Sequence, residues 1–425
     1  MLSKRISVLL ASGSASGTIA AVRNLGANGI DVGVMSSNLL SAAAWSRWAS
    51  RTHWSPPETR SHEFLKRLLA IGAADPGQIL LPTSDETAWL YTANAELLGE
   101  HFRLYQPALA TIKRILDKTQ LAAAAKTVGI DVPPTWDPQS LDELKTLAPT
   151  LPYPVLIKPR THVHRRRNDK GIAARSPEEL ILGYQKFVDR ERVAAVNLDM
   201  PGANRPIIQQ FVNVGREGVL SVTGFIDRTG EHFVTRNSTK IFQRSRPVGI
   251  GICFEPLPQV EGLADAIRRL CLELGYFGIF EAEFLWCNGA WAIIDFNPRL
   301  FHQVGMDIQR GMPLPILACL DALNERSALR TLAKRAQAED HAAVFCDRFA
   351  LRAILLAQAL TARISRRDRL RWRDWMKQNA SRVVDAAADT NDPMPALIHA
   401  LSELSVRVTG VGRFLRSTPR LVDPS

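Results

Sequence analysis

Phe280-Glu-Ala-Glu-Phe-Leu-Trp-Cys-Asn-Gly-Ala-Trp-Ala-Ile-Ile-Asp-Phe-Asn-Pro-Arg299 is the stretch whose reading decides the fold. Two apolar runs flank Asn288-Gly289, a dipeptide that favours a tight hairpin turn. Side chains alternate faces along a strand, so Glu281 and Glu283 share one face, as do Asp295, Asn297 and Arg299 on the returning strand. Carboxylates set among Phe280, Phe284, Leu285, Ile293 and Phe296 are costly unless paired or metal-bound. With Glu283 opposite Asp295, oxygen-bearing side chains converge and a guanidinium stands just beyond them. Hard oxygen donors that leave positions open suit Mg²⁺ carrying a nucleotide's phosphates better than a closed structural site. The competing reading is a surface hairpin with solvated acids.

Register sharpens the expectation. A two-residue loop at Asn288-Gly289 pairs Cys287 with Ala290 and sets Glu283 against Ile294. A three-residue loop, Asn288 to Ala290, pairs Cys287 with Trp291 and Glu283 with Asp295. A slip of one residue turns every side chain to the other face. A shared metal therefore predicts the longer loop.

Upstream, Pro206-Ile-Ile-Gln-Gln-Phe-Val212 and Val219 to Ile226 read as strands joined by a turn containing Gly215 and Glu217, and Leu263 to Gly275 as an amphipathic helix entering the hairpin. Pro152-Tyr-Pro-Val-Leu-Ile-Lys-Pro159 is a strand carrying Lys158 inside its apolar run, where an ammonium must reach solvent or an anion. The basic loop Thr161 to Gly171 is a candidate lid. Its His162 and His164 lack a nearby third ligand and read as loop histidines. A helix bearing Lys118 precedes Gly129-Ile-Asp-Val-Pro-Pro134.

At the N-terminus, an apolar strand over residues 5–11, Ser12-Gly-Ser-Ala-Ser-Gly17, a helix and a strand at Ile30 to Met35 form the opening of a doubly wound domain. The Gly13/Gly17 pair lacks the G-x-G-x-x-G spacing and reads as a tight packing turn rather than a nucleotide site. Gln78 to Glu86 is a strand running into a polar loop, the end of such sheets at which ligands collect. Asp85 or Glu86 there either touches substrate or caps the next helix. After about residue 325 the sequence becomes Ala-, Arg- and Leu-rich and helical.

At 425 residues, two or three domains are expected. No apolar run is long enough to cross a bilayer and no signal-peptide pattern opens the chain, so a cytoplasmic protein is expected. Five scattered cysteines without a Cys-x-x-Cys argue against a disulfide framework or a zinc site. A net charge of +11 and a pI near 9.7 favour anionic partners. No nucleic-acid-binding motif accompanies that charge, which argues against nucleic acid.

Together these residues resemble the ATP-grasp superfamily, and within it the carboxylate–amine ligase branch with D-aspartate ligase-like and carbamoyl-phosphate-synthase-like proteins. The likeness covers roughly residues 5–325. It rests on Glu281-Ala-Glu283 followed by Asp295-Phe-Asn-Pro-Arg299, supported by Asp117-Lys118, Gly129 to Pro134, Lys158-Pro159 and Gln209-Gln-Phe-Val212. The resemblance implies an α/β doubly wound domain over 1–116. It implies an α+β two-subdomain clamp over 117–325, divided into 117–205 and 206–325, and a mainly helical extension over 326–425. It implies ATP with Mg²⁺, or Mn²⁺ in its place. Lys118 and Lys158 would contact phosphates. Gln209, Gln210, Phe211 and Val212 would receive adenine at the hinge, and Glu217 would reach the ribose. Glu283, Asp295 and Asn297 would hold the metal. Arg299 would stabilise charge on the transferred phosphoryl or acyl group, and Lys240 would bind a substrate carboxylate or phosphate, ahead of Arg244 and Arg246. Gln210 stands where relatives commonly have Glu, and the lid is basic where relatives are often glycine-rich.

The implied reaction joins a small-molecule carboxylate to an amine through an acyl phosphate, in a chain that can form homo-oligomers. Two rivals stand beside it. One is a nucleotide-binding regulatory protein without turnover. The other is a membrane-associated ligase acting on a cell-envelope or capsular sugar acid. There the arginines between Arg363 and Arg373, with Trp372 and Trp375, would lie on an anionic surface at the inner face of the membrane. The simpler account of that segment is a helix packed on the body with its arginines outward.

Overall fold

The computed structural model describes residues 6–163, 165, 171–191, 200, 202–214, 218–244 and 249–417. Near-continuous apolar runs make the first strands, as expected for a parallel sheet covered on both faces. These are β1 (Ser7–Leu10) and β2 (Asp31–Ser36), joined by β3 (Arg51–Trp54), β4 (Ile79–Leu80) and β5 (Arg103–Leu104) in the order β3-β2-β1-β4-β5, all parallel. Val8, Leu9, Leu10, Val32 and Val34 are fully buried between helices such as Ser16–Ala27 and Ser61–Ala74. Gly17, in the first turn of the helix Ser16–Ala27, is a packing glycine. A Cβ there would stand 2.4 Å from the carbonyl oxygen of Phe301.

A small antiparallel sheet follows: β6 (Thr135–Trp136), β7 (Val155–Pro159), β8 (Ile172–Ala174) and β9 (Pro206–Gln210), in the order β6-β9-β7-β8. The large sheet contains β10 (Val219–Ile226), β11 (Phe233–Arg244), β12 (Ile250–Leu257), β13 (Gly278–Cys287), β14 (Ala290–Asn297), β15 (Val344–Cys346) and β16 (Val383–Asp385). Its order is β14-β13-β10-β11-β12-β15-β16. Phe280, Phe284 and Phe296 turn to one face of its hairpin and pack with Tyr276 and the helices Lys118–Thr127 and Leu263–Leu274, with Phe280 and Phe296 stacked 5.5 Å apart. The opposite face carries the acids.

The hairpin corrects one expectation. Glu283 does pair with Asp295, and Glu281 with Asn297, but the loop is the short one. Asn288 and Gly289 both take positive φ, 53° and 85°, and Cys287 pairs with Ala290. The register is recovered by a bulge: Phe284 pairs with Ile293, leaving Ile294 as the extra residue. Ile293 N–H donates to Asp131 O at 2.8 Å, so β14 also gains a partner from the Gly129–Pro134 segment.

Residues beyond 325 are largely helical (Arg326–Ala338, Arg348–Leu360, Arg366–Gln378, Met394–Ser417), and they also supply β15 and β16 to the large sheet. Buried Asp392 ties this region to the segments around the parallel sheet, accepting from Arg23 Nε at 2.9 Å, Ser46 Oγ at 2.7 Å and Arg47 N–H at 2.9 Å. In helix Arg366–Gln378 the tryptophans turn inward. Trp372 meets Phe242 edge-on at 4.9 Å and Trp375 Nε1 donates to Glu255 at 2.5 Å, while Arg366, Arg367, Arg369, Arg371 and Arg373 are exposed. The aromatic groups a membrane-surface helix would insert are used for packing. Among the described residues no helix is long and apolar enough to cross a membrane.

Candidate active site

The acid face of β13 and β14 is neutralised from three directions. Lys240, on β11 two strands away, places Nζ 2.5 Å from Glu283 Oε1. Lys118 places Nζ 2.6 Å from Asp295 Oδ1. Asp117 caps the helix Lys118–Thr127 through Thr119 N–H, and Lys118 N–H donates to Arg160 O at 3.0 Å, so the lysine's backbone is held before its side chain reaches out. All four side chains are nearly buried, with exposures of 6–13%. At such burial each ion pair is costly to break from one side.

Glu281 is anchored differently. It accepts from Ser221 Oγ at 2.6 Å, from Asn297 Nδ2 at 3.0 Å and from Gln303 Nε2. Burial, then the neighbouring Glu283, pushes its carboxyl above the usual range. Because Asn297 gives its amide hydrogen to Glu281, its Oδ1 faces Arg299, which donates to it at 2.9 Å. Arg299 also donates through Nε to Asp85 at 3.0 Å. Burial works against the guanidinium, but Asp85 and Glu281 more than offset that and hold its pKa above the ordinary arginine value. The same balance applies to Lys240: burial lowers its pKa, and Glu283, supported by Glu281 and Asp295, raises it further.

Across the small sheet, Lys158 Nζ donates to Gln209 Oε1 at 3.1 Å, and Gln209 Nε2 donates to Thr135 at 3.0 Å. Thus Gln209 orients a lysine rather than standing free. Gln210 and Phe211 give their N–H groups to Pro134 O and Pro154 O, which ties the end of β9 to the starts of both neighbouring strands, and Val212 lies beyond the strand end. Glu217, His164, Arg246 and most of the basic loop lie outside the described residues. His162 comes within 4.0 Å of Asp295. Arg244 pairs with Glu403 at 2.6 Å and so belongs to the contact with the C-terminal helix.

Among the described residues no three carboxylate, imidazole or thiol groups converge on one point. The donor chemistry nevertheless fits a hard cation. Glu283, Asp295 and the Asn297 carbonyl offer oxygen alone, and ammonium or guanidinium groups now sit on all three.

Several site residues escaped the sequence reading. Ser221 and Gln303 hold Glu281, and no motif marks them. Arg160 bonds Thr119 at 2.9 Å, Asp137 and the Gly202 carbonyl. Its position directly after Lys158-Pro159 was the available signal. Of the two roles open to Asp85, the structure favours the site: Ser84 caps the helix Asp85–Ala93, while Asp85 binds Arg299.

Comparison with known proteins agrees with this architecture. No family model matches the chain. The carbamoyl phosphate synthase large chain of Thermus thermophilus is 25% identical over 246 residues, covering 56% of this chain and 21% of that protein. The chain thus matches about a fifth of the length of that relative. Among solved structures, the biotin carboxylase domain of Hydrogenobacter thermophilus 2-oxoglutarate carboxylase, in complex with MgADP, ADP and bicarbonate, superposes with a TM-score of 0.60 at 16% identity. It covers 75% of this chain and 69% of that one. Campylobacter jejuni biotin carboxylase gives 0.60 at 16% identity, covering 74% and 70%. N5-carboxyaminoimidazole synthetase from Staphylococcus aureus gives 0.55 at 14%, covering 74% and 77%. The resemblance read from the hairpin and its supporting motifs holds: the chain has the ATP-grasp fold.

Proposed function

We propose that this ATP-grasp chain is an ATP-dependent ligase that joins a carboxylate to an amine and releases ADP and phosphate. One observation carries the reading: Glu283 and Asp295 stand side by side in register, each closed by a lysine, with Arg299 beside them. Buried acids paired with cations able to exchange them for phosphates suit a site that receives a metal-bound nucleotide. In this reading Lys118 and Lys158 meet the phosphates, the backbone from Gln209 to Val212 receives adenine, and Glu217 reaches the ribose. Glu283, Asp295 and Asn297 hold Mg²⁺, which Mn²⁺ can replace. Bound there, the metal neutralises phosphate charge and aligns the transferred group.

The substrate carboxylate, steered by Lys240, attacks the γ-phosphorus. The bond to the bridging oxygen breaks and ADP leaves. The amine then attacks the acyl carbon and phosphate departs. Arg299 donates to the oxygen on which charge develops. Closure of the clamp holds the reactants together and keeps water from the acyl phosphate. The substrates are small molecules and the enzyme works in the cytoplasm. One structural neighbour is itself a dimer, which makes a homodimer the oligomer to look for.

The test is ADP release across paired amino acids, hydroxy acids and uronic acids, with hydroxylamine as a trap. An acid-dependent hydroxamate with ADP is expected. AMP and pyrophosphate, or no hydroxamate from any acid, contradicts the reading.

A further inference from the structure

We infer that His302 is the base that takes the proton from the amine as it attacks the acyl carbon; this rests on the ligase reading above. The ring lies three residues beyond Arg299 and immediately before Gln303, which holds Glu281. Ser16, the first residue of the helix Ser16–Ala27, brings its Oγ within 2.5 Å of His302 Nδ1 and 2.8 Å of the His302 carbonyl oxygen. One hydroxyl hydrogen cannot serve both contacts. Both are satisfied only if the hydroxyl donates to the carbonyl and accepts from Nδ1–H, an assignment that comes from the bonding pattern. That leaves the lone pair on Nε2. This atom is buried and, among the described residues, accepts no hydrogen bond. An unmet buried acceptor is a cost that an arriving N–H donor removes.

The surroundings suit that role. Phe345 covers the ring edge-on at 5.0 Å. Burial first, then His399, Arg244 and Lys240, depress the ring's pKa to about 4 against the opposing pull of Asp347, so the imidazole is neutral at physiological pH. His399 is itself bound to Asp347 at 3.2 Å, which keeps that carboxylate occupied. An anionic acyl phosphate lying against Lys240 would offset one of the cations that depress the ring and raise its basicity during the reaction.

The step balances simply. The nitrogen lone pair of the neutral amine forms the C–N bond, and the C–O bond to phosphate breaks with its electron pair leaving on phosphate. The N–H proton passes to Nε2, and the imidazolium then returns it to solvent.

His302→Asn keeps an N–H donor near the place of Nδ1 and removes Nε2. The full-length variant, given the acid identified by the hydroxylamine screen, should form hydroxamate within about twofold of wild type, because hydroxylamine is already unprotonated at neutral pH. Ligation to the amine should fall roughly 10²–10⁴-fold and recover with rising pH as free amine accumulates. Equal loss of both activities would mean a structural role, and retention of ligation within about threefold would exclude a base; either overturns the inference. ¹⁵N-resolved spectra of wild-type His302 should report the Nδ1–H tautomer, and an Nε2–H signal overturns it independently of activity. If wild type gives no hydroxamate with any acid, the ligase reading fails first and this inference with it.

Discussion

The acids of the β13–β14 hairpin and those at the mouth of the parallel sheet are chemically alike, yet the chain treats them in opposite ways. In the hairpin, Glu283 and Asp295 each have a lysine and Glu281 has three hydrogen-bond donors. At the sheet mouth, Glu58 accepts from the Ser12 N–H and hydroxyl, and Glu86 sits near Asp85 and Glu58, while the nearby cation, Arg299, is engaged by Asp85. Burial raises the pKa of Glu58, and burial with Asp85 and Glu58 raises that of Glu86 to about 7. One region closes two of its acids with lysines, and the other raises the proton affinity of two of its acids by burial. The first arrangement suits an exchange of partners with a metal-bound nucleotide.

The hairpin half of this comparison breaks most visibly at Asp295. Asp295→Asn keeps the shape and removes one charge from the proposed metal site. Turnover should fall roughly a thousandfold or more, measured as ADP release, while nucleotide still binds at the hinge. Near-normal turnover would sink the metal assignment. Lys240→Met should destabilise the fold by about 3–5 kcal/mol in urea titrations, because it leaves Glu283 buried without its counter-ion. Adding Glu283→Gln should recover most of that loss. If the double variant is no better than the single one, the pair is not the source. Lys158→Ala should weaken ATP binding by calorimetry roughly 10–100-fold, the worth of a charge-assisted contact, and slow turnover as well.

The sheet-mouth half predicts a smaller effect of opposite sign. Glu86 has a folded pKa of about 7 against an ordinary 4.5, so between those values the folded state holds a proton that the unfolded state has lost. Stability contributed there falls as pH rises from 4.5 to 7 and stays low above it. Glu86→Gln should therefore be more stable than wild type by ~1–3 kcal/mol at pH 8 and no different near pH 4, read from denaturant midpoints. Equal stabilities at pH 8 would show that Glu86 is ionised at little cost.

Much of the site was legible because strand alternation is local. Glu281 had to share a face with Glu283 and Asp295 with Asn297, whereas bringing the two pairs onto one face depends on the register between the strands. The loop length was not legible, because the bulge at Ile294 supplies the missing residue and is supported by a bond from Ile293 N–H to the carbonyl of Asp131, far away in sequence. The packing role of Gly17 was readable from its spacing, whereas its reason, the Phe301 carbonyl, was not. Lys158 could be singled out as an ammonium group seeking an anion, and Lys118 through the family resemblance alone, but their present partners are 51 and 177 residues away. The two-residue strand β5 and the three-residue β15 and β16 are too short to carry a period. Only the sheets they join define them.

The central claim, acyl phosphate formation at the Glu283–Asp295 face, is tested most directly by the fate of a carboxylate oxygen. With the substrate acid labelled with ¹⁸O and turned over with ATP and amine, the account predicts one labelled oxygen in the released phosphate and none in ADP. Unlabelled phosphate, or label appearing in AMP, would contradict it.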